Sequence, residues 1–201
     1  MNLLTVAAYT PRKWHLSGLH GISDETLAVH FGLYEGYVKN TNLLNERIAE
    51  SRRAGANHGD DPSYAELVRR LGWEFDGMRL HEYYFDNLTS QRVDLVAGPL
   101  WDVVTEQFGS VDAWKRDFAA LGNMRGIGWV IAHHDRASDL IVNTWVGDHN
   151  LNNLAGCEPI LVMDVWEHAF LLDYKPAKKG DYIEAFLSNV DWRVCEARLR
   201  G

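Results

Sequence analysis

The chain has 201 residues, enough for one large domain or two small ones with real cores. Eight tryptophans and 46% hydrophobic residues exclude a disordered chain, and a formal charge of -8 argues against nucleic acid as the main partner. The same charge leaves room for a small anionic substrate, which responds to the local field of a cleft rather than to the total. Cys157 and Cys195 form no CxxC pattern, so free thiols in a reducing cytoplasm are expected. The apolar start MNLLTVAAYTPRKWHLSG is too short to cross a bilayer and lacks the plan of a signal peptide, which predicts no membrane segment.

Residues 1–22 read as irregular, punctuated by Pro11, Gly18 and Gly21. Ser23 followed by Asp24 and Glu25 marks a helix start, and the helical pattern runs on through NERIAESRR. Within it His30, Tyr34 and Tyr37 fall on one face; their simplest reading is core packing around one hydrogen-bonded histidine. Gly32 and Gly36 cost up to about 1 kcal/mol each against alanine in a helix, a hint of close approach by another group. GANHGDDP breaks the pattern. A second helix is expected over 64–88, with His81, Tyr84 and Phe85 on one face. Two helices joined by one loop predict an antiparallel hairpin whose inner faces each carry a histidine.

Residues 90–99 read as a linker between two lobes, 1–92 and 93–201, and two short helices follow over 100–108 and 111–121. After GIG the pattern turns to strands. WVIAHHD, LIVNTWV and ILVMD, separated by turn residues, predict a small antiparallel sheet with Asp164 closing its third strand. Helices are expected again in EHAFLLDY and in DYIEAFLSNVDWRVCEARL. The fold class is therefore α+β: a helical hairpin, then an α/β lobe with a three-stranded antiparallel sheet.

Asp164 and His168, four residues apart, form a D-x-x-x-H pair that is weak alone, since most such pairs are solvated neighbours. The buried-strand run ILVM leading into Asp164 would carry both groups inward, and buried carboxylates seldom lack partners. Joined to His30 and His81, the pair makes three imidazoles and one carboxylate, which suit iron, manganese or zinc. Two histidines and one carboxylate would equally make a non-haem iron oxygenase site, and spacing alone does not choose.

DVWEHAFLLDY resembles the most specific signature of the iron/manganese superoxide dismutases, and the likeness extends through GISDETLAVH, YVKNTN, LHEYYFDNL, FGSVDAWKRDF, GIGW and NVDW. The resemblance implies that His30, His81, Asp164 and His168 ligate one iron or manganese ion per subunit, and that superoxide is converted to dioxygen and hydrogen peroxide by ping-pong redox cycling. Tyr37 is similar to the family's gateway tyrosine, a proton relay. Trp129 and Trp166 resemble indoles that wall the metal pocket. Glu167 resembles the residue that reaches the metal-ligand histidine of a second subunit, which implies a homodimer or a tetramer. The glutamine that many iron members carry four residues before the second ligand is Gly77 here. His149, in GDHNLN, stands where manganese members carry their glutamine; a histidine there resembles a minority that includes iron-using forms, which favours iron. Lys175, Lys178 and Lys179 are candidates for a locally positive mouth.

Three departures stand out. His30 to Tyr37 spans seven residues where the family usually has eight, which predicts a regular helix without a π-bulge. Tyr34 replaces the histidine usually found between ligand and gateway, and Leu171 replaces the tyrosine that meets it across subunits. A protein that kept the metal for structure and lost turnover is the reading those changes leave open beside the enzyme.

Overall fold

The structure, a computed structural model, describes residues 8–201, so most of the apolar start of the chain lies outside the described residues. Two long helices come first, α1 (Asp24–Arg53) and α2 (Pro62–Asp86). The Ser23 side chain accepts from the Thr26 amide at 3.1 Å and Asp61 accepts from Ser63 at 2.8 Å. Each such cap stabilises its helix by about 1 kcal/mol, which is why both helices begin where the sequence places polar residues before an apolar run. Helix α1 is α-helical throughout, Phe31 to Val38 included, with no π turn, as the seven-residue spacing requires.

Helices α3 (Pro99–Phe108) and α4 (Val111–Gly122) lead into strands β1 (Gly128–Asp135), β2 (Leu140–Gly147) and β3 (Glu158–Asp164). The sheet is antiparallel in the order β2-β1-β3. Strand β1 is central and buried almost end to end, which is why its sequence reads as a continuous apolar run rather than an alternation. Gly128 opens β1 with φ 144°, and a Cβ there would stand 2.0 Å from the Val146 carbonyl oxygen, so only glycine fits. The register sets Trp129 opposite Asp164, and the Val165 amide donates to the Gly128 carbonyl at 2.9 Å. The ends of β1 and β3 thus deliver an indole and a carboxylate to the same place.

Two expectations are corrected beyond that point. EHAFLLDY is not a helix: Glu167–Ala169 is a single 3-10 turn. Asp164 Oδ1 accepts from the Trp166 amide at 2.7 Å, turning the chain sharply off the strand instead of into an α-helix. The last segment is not continuous either. It divides into α5 (Lys179–Ser188) and α6 (Trp192–Arg200), because Asp191 caps the second helix and the Asp191 amide donates to the Asn87 carbonyl at 2.7 Å. Both cysteines are free, as expected.

Candidate metal centre

His30 comes from the buried face of α1, His81 from α2, Asp164 from the end of β3 and His168 from the 3-10 turn after it. Their ligating atoms all lie within 4.8 Å of one another. His30 Nε2 is 3.0 Å, His168 Nε2 3.1 Å and His81 Nε2 3.7 Å from the single atom Asp164 Oδ2. His30, His81 and Asp164 are fully buried, and only His168 reaches solvent. The spacing of Asp164 and His168 thus brings both inward, by a strand end and a tight turn rather than by a helix face.

The tautomers point the same way. His81 Nδ1 lies 2.5 Å from the Gly77 carbonyl, which can only accept, so Nδ1 carries the proton and Nε2 keeps its lone pair. That Nε2 is buried without a hydrogen-bond partner. Burial holds the His81 and His30 imidazoles below their usual pKa, so both are neutral and fit to ligate near pH 7. Burial alone would raise the Asp164 carboxyl, but His168 and the hydrogen bonds from His168 and His30 bring it well below the ordinary range. His168 itself is raised, the loss from burial being outweighed by Asp164. A buried carboxylate facing three imidazoles, one with an orphaned lone pair, is an uncomfortable set without a cation at its centre. Three nitrogens and one oxygen at these spacings fit one iron, manganese or zinc ion with bonds of about 2.0–2.2 Å. All four side chains converge, so the three-ligand oxygenase arrangement leaves one histidine unexplained.

Beside the ligands lies a second constellation. The Trp129 indole Nε1 donates to His149 Nδ1 at 3.0 Å, and His149 Nε2 lies 2.8 Å from the Tyr37 hydroxyl. An indole only donates, so Nδ1 must accept and the proton of neutral His149 sits on Nε2, donating to Tyr37. Burial lowers His149 to about 4, which keeps it neutral. The Tyr37 proton is then not used by His149. Burial, with Asp164 and Glu74, raises the Tyr37 hydroxyl well above its ordinary value. His149 is held by its loop: Asn153 Nδ2 donates to the His149 carbonyl at 3.0 Å and to Asp76 at 3.1 Å, and Trp166 Nε1 donates to the Asp148 carbonyl at 3.2 Å. The Trp166 ring stacks on His149 with centroids 4.8 Å apart.

Tyr34 is buried elsewhere. Its hydroxyl donates to Glu82 at 2.9 Å and accepts from the Arg12 amide at 2.9 Å, and its ring meets Trp14. Glu167 is exposed at the surface next to Leu171 and Leu172, both exposed as well. Of the lysines, Lys178 pairs with Asp181 at 3.1 Å, and Lys179 donates to the Met124 carbonyl at 3.0 Å while lying over Trp145.

Arg70, Trp73 and Glu74 of this neighbourhood escape a reading by sequence, and Gly77 is visible there only as a missing glutamine. The Trp73 ring lies 4.4 Å from His149 and 5.6 Å from Tyr37, and the Arg70 guanidinium covers it at 3.9 Å. Arg70 also grips the buried Glu74 carboxylate at 2.7 Å. Gly77 lies under the Tyr37 ring, where a Cβ would come within 2.7 Å of it. Arg70, Trp73, Gly77 and His81 share the helical spacing that reaches His81, a signal open to a reader who extends the histidine's face backwards along α2.

Three histidines and one carboxylate, brought together between a helical hairpin and an antiparallel sheet, form a group that could hold one metal ion. The chain matches the model of the iron/manganese superoxide dismutase C-terminal domain over residues 96–198. It is 36% identical over 178 residues to superoxide dismutase [Mn] 2 of Haloferax volcanii, covering 88% of this chain and 86% of that one. To superoxide dismutase [Fe] of Aquifex pyrophilus it is 34% identical over 192 residues, 93% of this chain and 89% of the relative. Superoxide dismutase [Fe] of Cupriavidus metallidurans is 33% identical over 186 residues, 90% of each. The chain belongs to the iron/manganese superoxide dismutase family.

Proposed function

We propose that this protein is a superoxide dismutase, with His30, His81, Asp164 and His168 holding one iron or manganese ion. The observation that carries the reading is the convergence of three imidazole nitrogens on Asp164 Oδ2 beside the His149–Tyr37 pair. A bound iron or manganese ion supplies one-electron chemistry, so that one superoxide is oxidised to dioxygen and a second, with two protons, is reduced to hydrogen peroxide in alternation. The remaining work falls to the protein. Tyr37, kept protonated by burial, offers a proton that His149 does not consume, and His149 holds the hydroxyl in place. Trp129, fixing the His149 tautomer, and Trp166, stacked on the same imidazole, narrow the pocket to small anions and limit water. Tyr34 acts at a distance, as an anchor of the N-terminal segment on α1.

Iron is favoured by His149 in the glutamine's place, although relatives named for either metal are similar to the chain. Glu167, exposed beside the solvent-reaching ligand His168, would serve a second copy of the chain, orienting that copy's histidine, with exposed Leu171 and Leu172 in the same surface. The two lobes are 1–92 and 93–201, with the metal between them. Two free thiols favour a reducing cytoplasm, and among the described residues no helix is long and apolar enough to cross a membrane. The test is superoxide removal by protein reconstituted separately with iron and with manganese. Activity in one form alone names the metal; none in either overturns the reading. Sedimentation of the wild type and of Glu167→Ala tests the dimer, which the variant should weaken.

A further inference from the structure

On the far side of the linker from α1, a cleft of about 550 Å³ opens where the N-terminal segment, residues 90–94, α4 and the α5–α6 corner meet. That volume is in the range of small-molecule sites. Its walls are fixed before any ligand arrives. Asn189 clamps His20 by both main-chain groups, accepting from its amide at 2.9 Å and donating to its carbonyl at 2.7 Å. The Thr89 amide donates to the Asn189 carbonyl at 2.8 Å, which ties the linker to the same corner.

Lys115 is the group that lacks a partner. It lies half-buried with its ammonium 4.3 Å from the centroid of the buried Trp192 ring. Asp94 and Asp112 reach it only through their field; among the described residues no carboxylate or carbonyl accepts from it. Desolvation weakens its charge, an effect that a bound anion would reverse. The Ser90 hydroxyl adds a neutral donor, the Ser188 hydroxyl being given to the Ala185 carbonyl at 2.8 Å, and Leu187 adds an apolar wall. Arg92 contributes less, since its guanidinium is turned to Asp94 at 3.2 Å.

We infer that this cleft binds a small monocarboxylate carrying a compact apolar body, its carboxylate on Lys115 and the Ser90 hydroxyl and its body against Leu187. One uncommitted ammonium with a neutral donor matches a single negative charge. Arg92 is already paired with Asp94 at 3.2 Å, so among the described residues of the cleft no second free cation is left for a dianion, which sets phosphate apart from carboxylate. The site is separate from the metal centre and does not depend on the activity proposed for it.

The test is calorimetric titration of the metal-loaded protein with benzoate, benzamide and inorganic phosphate, repeated on Lys115→Met and Lys115→Arg. Benzoate should bind saturably in the millimolar range, and benzamide and phosphate should not. Lys115→Met should weaken benzoate roughly ten- to a hundredfold, the loss expected for one charge-assisted hydrogen bond. Lys115→Arg should retain most of it, and both variants should melt and turn over superoxide as the wild type does. No saturable benzoate binding, equal binding by Lys115→Met, or phosphate binding more tightly than benzoate would each overturn the inference; equal binding by Lys115→Met would move the benzoate to the metal centre.

Discussion

Gly77 is where the helical hairpin and the proposed proton relay constrain each other most tightly. An added Cβ would stand 2.7 Å from Tyr37 Cδ1 and 2.8 Å from Cε1, whereas ordinary contact begins at 3.4 Å, so the ring would have to retreat by about 0.7 Å. It has little space for that, with Trp73, His81 and His149 rings at 5.6, 5.1 and 4.8 Å around it. A shift of that size exhausts the tolerance of the 2.8 Å bond between His149 Nε2 and the hydroxyl. Overpacking costs about 1–3 kcal/mol, and alanine returns about 1 kcal/mol of helix propensity, so Gly77→Ala should lose about 0–2 kcal/mol of stability. Loss of one hydrogen bond of about 0.5–1.5 kcal/mol predicts a fall of roughly two- to tenfold in superoxide turnover by stopped flow. Gly72→Ala is the control: it lies on the same helix with nothing within 4 Å of the new Cβ, and should be slightly stabilised and fully active. If Gly77→Ala matches Gly72→Ala in melting and in rate, the packing argument fails.

Removing the cation in Arg70→Met leaves the buried Glu74 carboxylate beside Tyr37 with only Asn40, at 3.3 Å, so thermal melting should show a loss of about 1–2 kcal/mol. The same variant should lower kcat/KM for superoxide at low ionic strength, and Arg70→Lys should recover part of that rate. Trp129→Phe leaves His149 Nδ1 buried without a donor; it should cost about 1–3 kcal/mol, and a double-mutant cycle with His149→Ala should be less than additive. Burial raises the Asp76 carboxyl to about 6, against which the Asn153 hydrogen bond pulls down. The folded protein therefore binds that proton more tightly than the unfolded chain, and the penalty grows as pH rises from about 4 through about 6. Asp76→Asn should stabilise the fold in thermal melting at pH 8, by about 1 kcal/mol after allowing for partial solvent screening, and leave it unchanged at pH 4.

The elements that position the metal centre are legible because their signals are local. Ser23 before two acids marks the start of α1, GANHGDDP ends the hairpin's first arm, and three apolar runs between turns spell out β1, β2 and β3. The four candidate ligands are legible less from spacing, which leaves His30 a core histidine and Asp164–His168 a solvated pair, than from the family resemblance that joins them. What local patterns miss is the turn after Asp164. EHAFLLDY carries a helical apolar pattern, yet the Asp164 side chain takes the Trp166 amide and sets the chain on a different course. A side chain that faces two imidazoles with Oδ2 and holds the main chain with Oδ1 cannot be read from periodicity.

The missing residue in α1 shows why the relay needs the three-dimensional arrangement. With a step of seven residues from His30 to Tyr37 and no π turn, both side chains return to nearly the same face, and Tyr34, one turn along, is carried to Glu82 and Arg12. A family pattern places a residue by its order in the chain, but a helix places it by angle, and a deletion changes the angle of everything on one side of it. Tyr37 stays in reach of His149 because Gly77 leaves room for its ring and because Trp129 commits the His149 proton to it. Those two conditions come from α2 and β1, far from Tyr37 in sequence, and together they fix the direction of the hydrogen bond between His149 and Tyr37.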